Sequence, residues 1–310
     1  MRIGKWTTGL IVMSVGLCVL WGCDGSKAKK KEQEQNRKPA AGGGTWTARR
    51  VRVLEKLDGP ECVVVDPATG VPYVSNCETA VKAYWAEDGT GFISRLKPGG
   101  EMDALRWQSS TKDVPLNGPK GMCVTDTALY VADNRRVVCY PLKGAAVPHV
   151  VKGVGGGRLN DMAAQGGSAY VSDTAGARIV KFNDQGVTEM KAPASVNGIT
   201  FFKGKMFAVS WGRHEVYELD PEGKADPKPF GLAKHFESLD GIEVLDDGTF
   251  VVSDYVAGAV YAISPDRKTV RTLADGLKTP ADIGLDRKRG LLYVPELEHN
   301  RVAVYKLEKK

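Results

Sequence analysis

The chain has 310 residues, 42% of them hydrophobic, with 36 Gly, 16 Pro and a net charge of +6. That length suits one large all-β domain or two small ones, and the Gly and Pro content implies many turns. The positive charge lies before residue 51 and the rest is close to neutral, so charge gives no support to a nucleic-acid-binding role.

Arg2 and Lys5 precede an apolar stretch over residues 10–20, too short to span a bilayer as a mature helix. Gly22-Cys23 follows, and the whole reads as a secretory signal over residues 1–22. Its end resembles the lipobox of bacterial lipoproteins, which implies lipidation of Cys23 and an exported, membrane-anchored protein on the periplasmic or extracellular face. Residues 23–45 are rich in Lys, Gln, Ala and Gly and read as a disordered basic tether. Its charges favour an anionic membrane surface. Six Cys are present. Once Cys18 is removed and Cys23 lipidated, Cys62, Cys77, Cys123 and Cys139 remain. Cys62 and Cys77 flank a turn at residues 67–70, so a disulfide and a pair of buried thiols are both open readings. No Cys/His spacing suggests a zinc site.

Residues 46–310 carry an internal repeat. Copies begin at Glu61, Lys120, Asn160, Asn197, Asp240 and Ala281, and after a first interval of 59 residues the spacing is 37–43. Each copy has an apolar strand, a turn, and a second strand ending near Ser, Asp or Asn, as in Tyr170-Val171-Ser172-Asp173 and Val251-Val252-Ser253-Asp254. A third strand follows in every copy and a fourth in most. An insert around Tyr84-Trp85-Ala86-Glu87-Asp88-Gly89 lengthens the first copy. The period predicts an all-β, six-bladed β-propeller. The last copy has only three strands, and the stretch at residues 50–54 can supply the fourth and close the ring.

The innermost strand of each blade lines the central channel. The six opening residues therefore meet around one axis, and five of them are polar. Two carboxylates and two amide carbonyls from separate blades suit a hard cation, while a plain solvated polar channel remains open as well.

The pattern resembles the six-bladed family of senescence marker protein, gluconolactonase and luciferin-regenerating enzyme. The resemblance rests on Asn197-Gly198, Asp240-Gly241 and Arg158-Leu159-Asn160-Asp161 at the fitting blades, and spans residues 50–310. It implies one divalent metal held by Glu61, Asn197 and Asp240, most naturally Ca²⁺, with Mg²⁺, Mn²⁺ or Zn²⁺ as alternatives. It also implies that Arg158 and Asn160 face a small-molecule lactone or ester. Asp240 would serve as both ligand and catalytic base. Lys120 stands where it could hold an acidic substrate. Gly59-Pro60-Glu61 departs from the family's Glu-Gly-Pro order. The competing readings are a non-catalytic NHL-like propeller that binds a glycan, peptide or protein, and an arylesterase with two calcium ions to which Asp161 adds a carboxylate. No Gly-x-Ser-x-Gly elbow or phosphate-binding loop is present. Oligomeric state is left open.

Overall fold

The structure is a computed structural model that describes residues 45–77 and 84–310. The expected signal segment, Cys23 and the tether up to residue 44 lie outside the described residues. Among those described, no helix is long and apolar enough to cross a membrane.

The protein is a six-bladed β-propeller made of six four-stranded antiparallel sheets. From the channel outward, blade 1 consists of Pro60–Val65, Pro72–Asn76, Phe92–Lys97 and Glu101–Ser109. The inner strands of the next four blades are Pro119–Val124, Leu159–Gln165, Val196–Phe202 and Leu239–Val244. The sixth sheet takes Gly284–Asp286, Leu291–Glu296 and Arg301–Lys309 from the C-terminus. Its outer strand is Trp46–Leu54, which pairs antiparallel with Arg301–Lys309 and starts four residues before the expected 50–54 stretch. Among the described residues, two single turns of 3₁₀ helix, Ala233–His235 and Leu297–His299, interrupt the strands.

A twisted four-stranded sheet has two apolar faces and cannot cover them alone. The buried side chains accordingly form cores between neighbouring blades. Phe207 and Val209 of blade 4 pack on Leu239, Ile242 and Phe250 of blade 5, with the Phe207 and Phe250 rings edge to face at 4.9 Å. Cys62, Ile93 and Tyr73 of blade 1 pack on Met122, Leu129 and Val138 of blade 2. The second strands Pro72–Asn76, Ser168–Asp173 and Phe250–Asp254 are buried along their whole length, and the other three at all but one residue.

The polar residue that closes each second strand has a structural purpose. The loop entering the inner strand carries backbone N–H groups with no ladder partner, and buried donors need acceptors. Asp254 accepts from Glu237, Ser238 and Ala257 at 2.7, 2.9 and 3.1 Å. Asp133 accepts from Asn117 and Gly118, both at 2.8 Å, and is also paired with Arg136. Asp173 accepts from Gly157 and Arg158 and pairs with Arg178. Glu296 accepts from Lys278 and pairs with Arg301, and Asn76 accepts from Asp58. Blade 4 is the exception, with Ser210 donating to Ala194 O.

All four described cysteines are free and buried. Of the two open readings for Cys62 and Cys77, the thiol pair is the one observed. The hairpin register brings Pro60 opposite Asn76 and Val63 opposite Val74, which leaves Cys62 facing Ser75, while the Cys77 thiol donates to Pro119 O at 3.1 Å.

If these strand-end acids hold the loops, Asp254→Ala leaves up to three N–H groups without an acceptor. Urea unfolding should then show a loss of about 3 kcal/mol. A change below about 0.5 kcal/mol, the size of an ordinary surface substitution, would contradict the assignment.

Candidate metal centre

The opening residues of the repeats sit on β-bulges. In blades 1 to 5 the pairing of inner and second strands slips by one residue at this point, between Pro60 and Val63, Pro119 and Met122, Leu159 and Met162, Val196 and Ile199, and Leu239 and Ile242. Two residues of each inner strand thus oppose one on the second strand. A bulge twists the strand and re-aims the side chains it carries. In three blades a serine hydroxyl accepts from the bulged N–H: Ser75 from Cys62 at 2.9 Å, Ser172 from Asp161 at 2.9 Å and Ser253 from Gly241 at 2.8 Å. Blade 6 shows the same one-residue slip, between Pro280 opposite Glu296 and Gly284 opposite Tyr293, and its Asp282 forms a parallel bridge with Cys62.

The first bulge residues form the expected ring. Glu61, Lys120, Asn160, Asn197, Asp240 and Ala281 are all buried. Four of them present acceptor oxygens that are buried and have no hydrogen-bond partner: Glu61 Oε2, Asn160 Oδ1, Asn197 Oδ1 and Asp240 Oδ1. An orphaned buried acceptor costs on the order of 1–3 kcal/mol, and four on equivalent positions of four blades make a repeated unmet demand. An oxygen-only donor set with two carboxylates and two amide carbonyls fits a hard dication such as Ca²⁺. The remaining polar atoms hold these oxygens in place. The Asn197 side chain favours the charged form of the Asp240 carboxyl. Tyr84 Oη donates to Glu61 Oε1 at 2.8 Å.

Lys120, expected to meet substrate, is fully buried. Its ammonium donates to Tyr84 O at 2.8 Å, Gly118 O at 3.1 Å and Cys77 Sγ at 3.4 Å, and lies 3.7 Å from the centre of the Tyr84 ring. Three donors thus meet three acceptors within the fold. Arg158 is exposed, with its guanidinium 5.4 Å from the Trp85 ring. Trp85 in turn meets the Tyr84 ring edge to face at 5.1 Å.

The second bulge residues form another layer. Cys62, Asp161 and Asp282 from blades 1, 3 and 6 are buried, and their ligand-type atoms lie within 4.8 Å of one another. Blades 2, 4 and 5 have Gly121, Gly198 and Gly241 at this level. A Cβ on Gly121 would stand 2.6 Å from Asp161 Oδ1, one on Gly241 2.7 Å from Asp282 Oδ1, and one on Gly198 2.4 Å from Asp240 O. The Gly in the Asn-Gly and Asp-Gly steps is therefore demanded by the close approach of the next blade. Asp161 accepts from Met162 and Ile199, both at 2.6 Å. A cavity of about 390 Å³ opens beyond this layer, lined by Val64, Met122, Ala164, Phe201 and Glu243 among others.

Electrostatics follow from burial. Burial pushes Glu61 up to about 7, against the pull of the Lys120 charge and the Tyr84 hydrogen bond. Asp240 is held well above the usual carboxylate range by burial, then by the charges of Glu61 and Asp161. Asp161 rises to about 6 through burial, and Asp282 goes well above its usual range through burial and the neighbouring acids. A dication at the ring would reverse these directions.

Two groups escaped the sequence reading. Of the second layer, the sequence offered Asp161 alone as a further carboxylate, and alternation with Gly at the same repeat position hid its grouping with Cys62 and Asp282. Tyr84 sits in an aperiodic insert, where no pattern marks it.

Solved structures share this architecture. A streptogramin B lyase superposes with a TM-score of 0.57 at 12% identity, covering 86% of this chain and 98% of that one. A luciferin-regenerating enzyme gives 0.60 at 14%, covering 83% and 94%. A candidate gluconolactonase gives 0.61 at 16%, covering 87% and 94%. At such identities the likeness establishes the fold. No protein-family model and no curated protein matches the chain.

The raised carboxyls predict a pH dependence. Glu61 ordinarily titrates near 4.5 and here near 7, so the folded, metal-free protein takes up protons more readily than the unfolded chain. That contribution is fully present below about pH 4.5 and is lost as pH rises through about 7. In chelator, the melting temperature should fall between about pH 5 and 8, and saturating Ca²⁺ should flatten the fall. A profile in chelator that is flat or rising over this window would contradict the burial argument.

Proposed function

We propose that the protein is a metal-dependent hydrolase of the lactonase class, acting on a small-molecule lactone or ester. The observation that carries this reading is the set of four partnerless buried oxygens at the channel ring. The presence of a candidate gluconolactonase and a luciferin-regenerating enzyme among the fold neighbours supports small-molecule chemistry.

Glu61 Oε2, Asn197 Oδ1 and Asp240 Oδ1 hold the cation, with Asn160 Oδ1 next to them as a further oxygen. Bound there, a divalent ion supplies Lewis acidity toward a carbonyl oxygen. Asp240 accepts a proton from the attacking water. Arg158, exposed over Trp85, donates to substrate oxygens. The preferred ion is Ca²⁺ because every donor is an oxygen. We further place the protein at a membrane surface through lipidation of Cys23, on the strength of the apolar 10–20 stretch and Gly22-Cys23.

Elemental analysis of the purified protein, combined with a lactone screen, tests the reading. One equivalent of divalent metal and lactone hydrolysis are expected, and Asp240→Ala should lose both, hydrolysis by at least about 100-fold. Hydrolysis that survives in Asp240→Ala with normal metal content would remove Asp240 as the base. Absence of metal and of hydrolysis in the unaltered protein would leave a propeller that binds without catalysis.

A further inference from the structure

We propose that Tyr84 is a positioning residue for the metal ligand Glu61 and that the buried Lys120 is the pin that holds Tyr84 over the ring. The inference rests on the metal-centre reading above.

A glutamate at a ring position has two equivalent oxygens and several rotamers. Here the two oxygens are made different. Oε1 accepts from the Tyr84 phenol at 2.8 Å, whereas Oε2 is buried without a partner. The phenol thus occupies one oxygen and leaves the other for a cation, which makes Glu61 a one-oxygen ligand of fixed orientation. Outer partners of this kind orient the ligands they touch, and their loss typically costs 10–100-fold in metal affinity.

Tyr84 lies in the insert between the second and third strands of blade 1, so its position needs its own support. Lys120 provides it from blade 2, donating to the Tyr84 carbonyl at 2.8 Å while its ammonium sits 3.7 Å from the ring centre. Blade 2 holds the insert further on as well. Asn134 Nδ2 donates to Ala86 O at 2.7 Å, and Gly89 N donates to Asn117 Oδ1 at 3.1 Å. The edge-to-face contact of Tyr84 with Trp85, with Arg158 beyond, carries the contacts out to the exposed Arg158.

Lys120 influences the ring in two opposed ways. As a positive charge near Glu61 it repels a cation. As the pin of Tyr84 it orders the ligand that receives one. Removing it therefore has a diagnostic sign: the pin role predicts weaker metal binding, and a purely electrostatic role predicts tighter binding.

The test is a Tb³⁺ luminescence titration of the full chain, excited through the aromatic side chains, with Ca²⁺ as competitor. Tyr84→Phe keeps the ring over Lys120 and removes only the hydroxyl. It should raise the Ca²⁺ dissociation constant about tenfold with an unchanged circular dichroism spectrum. Lys120→Met, of similar bulk, should also weaken binding. Tyr84→Phe binding within about twofold of the unaltered protein, or tighter binding by Lys120→Met, would overturn the inference while the metal centre stands. If the unaltered protein binds no cation, the metal-centre reading falls and takes this inference with it. Should Lys120→Met fail to fold, Tyr84→Phe alone decides.

Discussion

The centre of this propeller depends on how the chain enters each inner strand. The entering loop carries backbone N–H groups that no ladder can satisfy, and in every blade but the fourth the acid or amide at the end of the second strand accepts from it within the same blade. With that end clamped, the next two residues bulge, and a serine hydroxyl covers the spare N–H in blades 1, 3 and 5. The bulge then brings two successive residues of each blade to the axis, at two levels, the second of them Gly in blades 2, 4 and 5. Ligand geometry at the ring is thus a consequence of backbone hydrogen-bond satisfaction some residues away.

What gathers at the axis is an excess of negative charge. Glu61, Asp161, Asp240 and Asp282 are buried together, and Lys120 is the cation that Glu61 feels among the described residues. Buried charge of one sign is expensive unless it is protonated, paired or bound to a metal. Four carboxylates against one ammonium leave an excess of negative charge that a divalent cation at the ring would offset.

The blades and the ring were legible in the sequence because both follow from one period of about 40 residues. Trp46–Leu54 as a partner for the last blade was legible too, since an incomplete copy needs an edge to pair with. The strand-end acids were visible as a pattern, but their purpose as acceptors for the entering loops needed the structure. Lys120 was misleading for a physical reason: a charge at a channel position reads as solvent-facing, and only the insert from another blade supplies the carbonyl, thiol and ring that bury it. Asn160, expected to meet substrate, lies in the ring with its amide oxygen unpartnered. The glycines of the Asn-Gly and Asp-Gly steps report close packing between inner strands, so those dipeptides speak for the fold at least as much as for the metal.

The most direct test of this account is an anomalous difference map from crystals soaked in Mn²⁺, because it separates the two layers at the axis. A single peak in contact with Glu61 Oε2, Asn197 Oδ1 and Asp240 Oδ1, with Tyr84 still on Glu61 Oε1, is the predicted result. A peak on Cys62, Asp161 and Asp282, or an empty ring at saturating Mn²⁺, would contradict it.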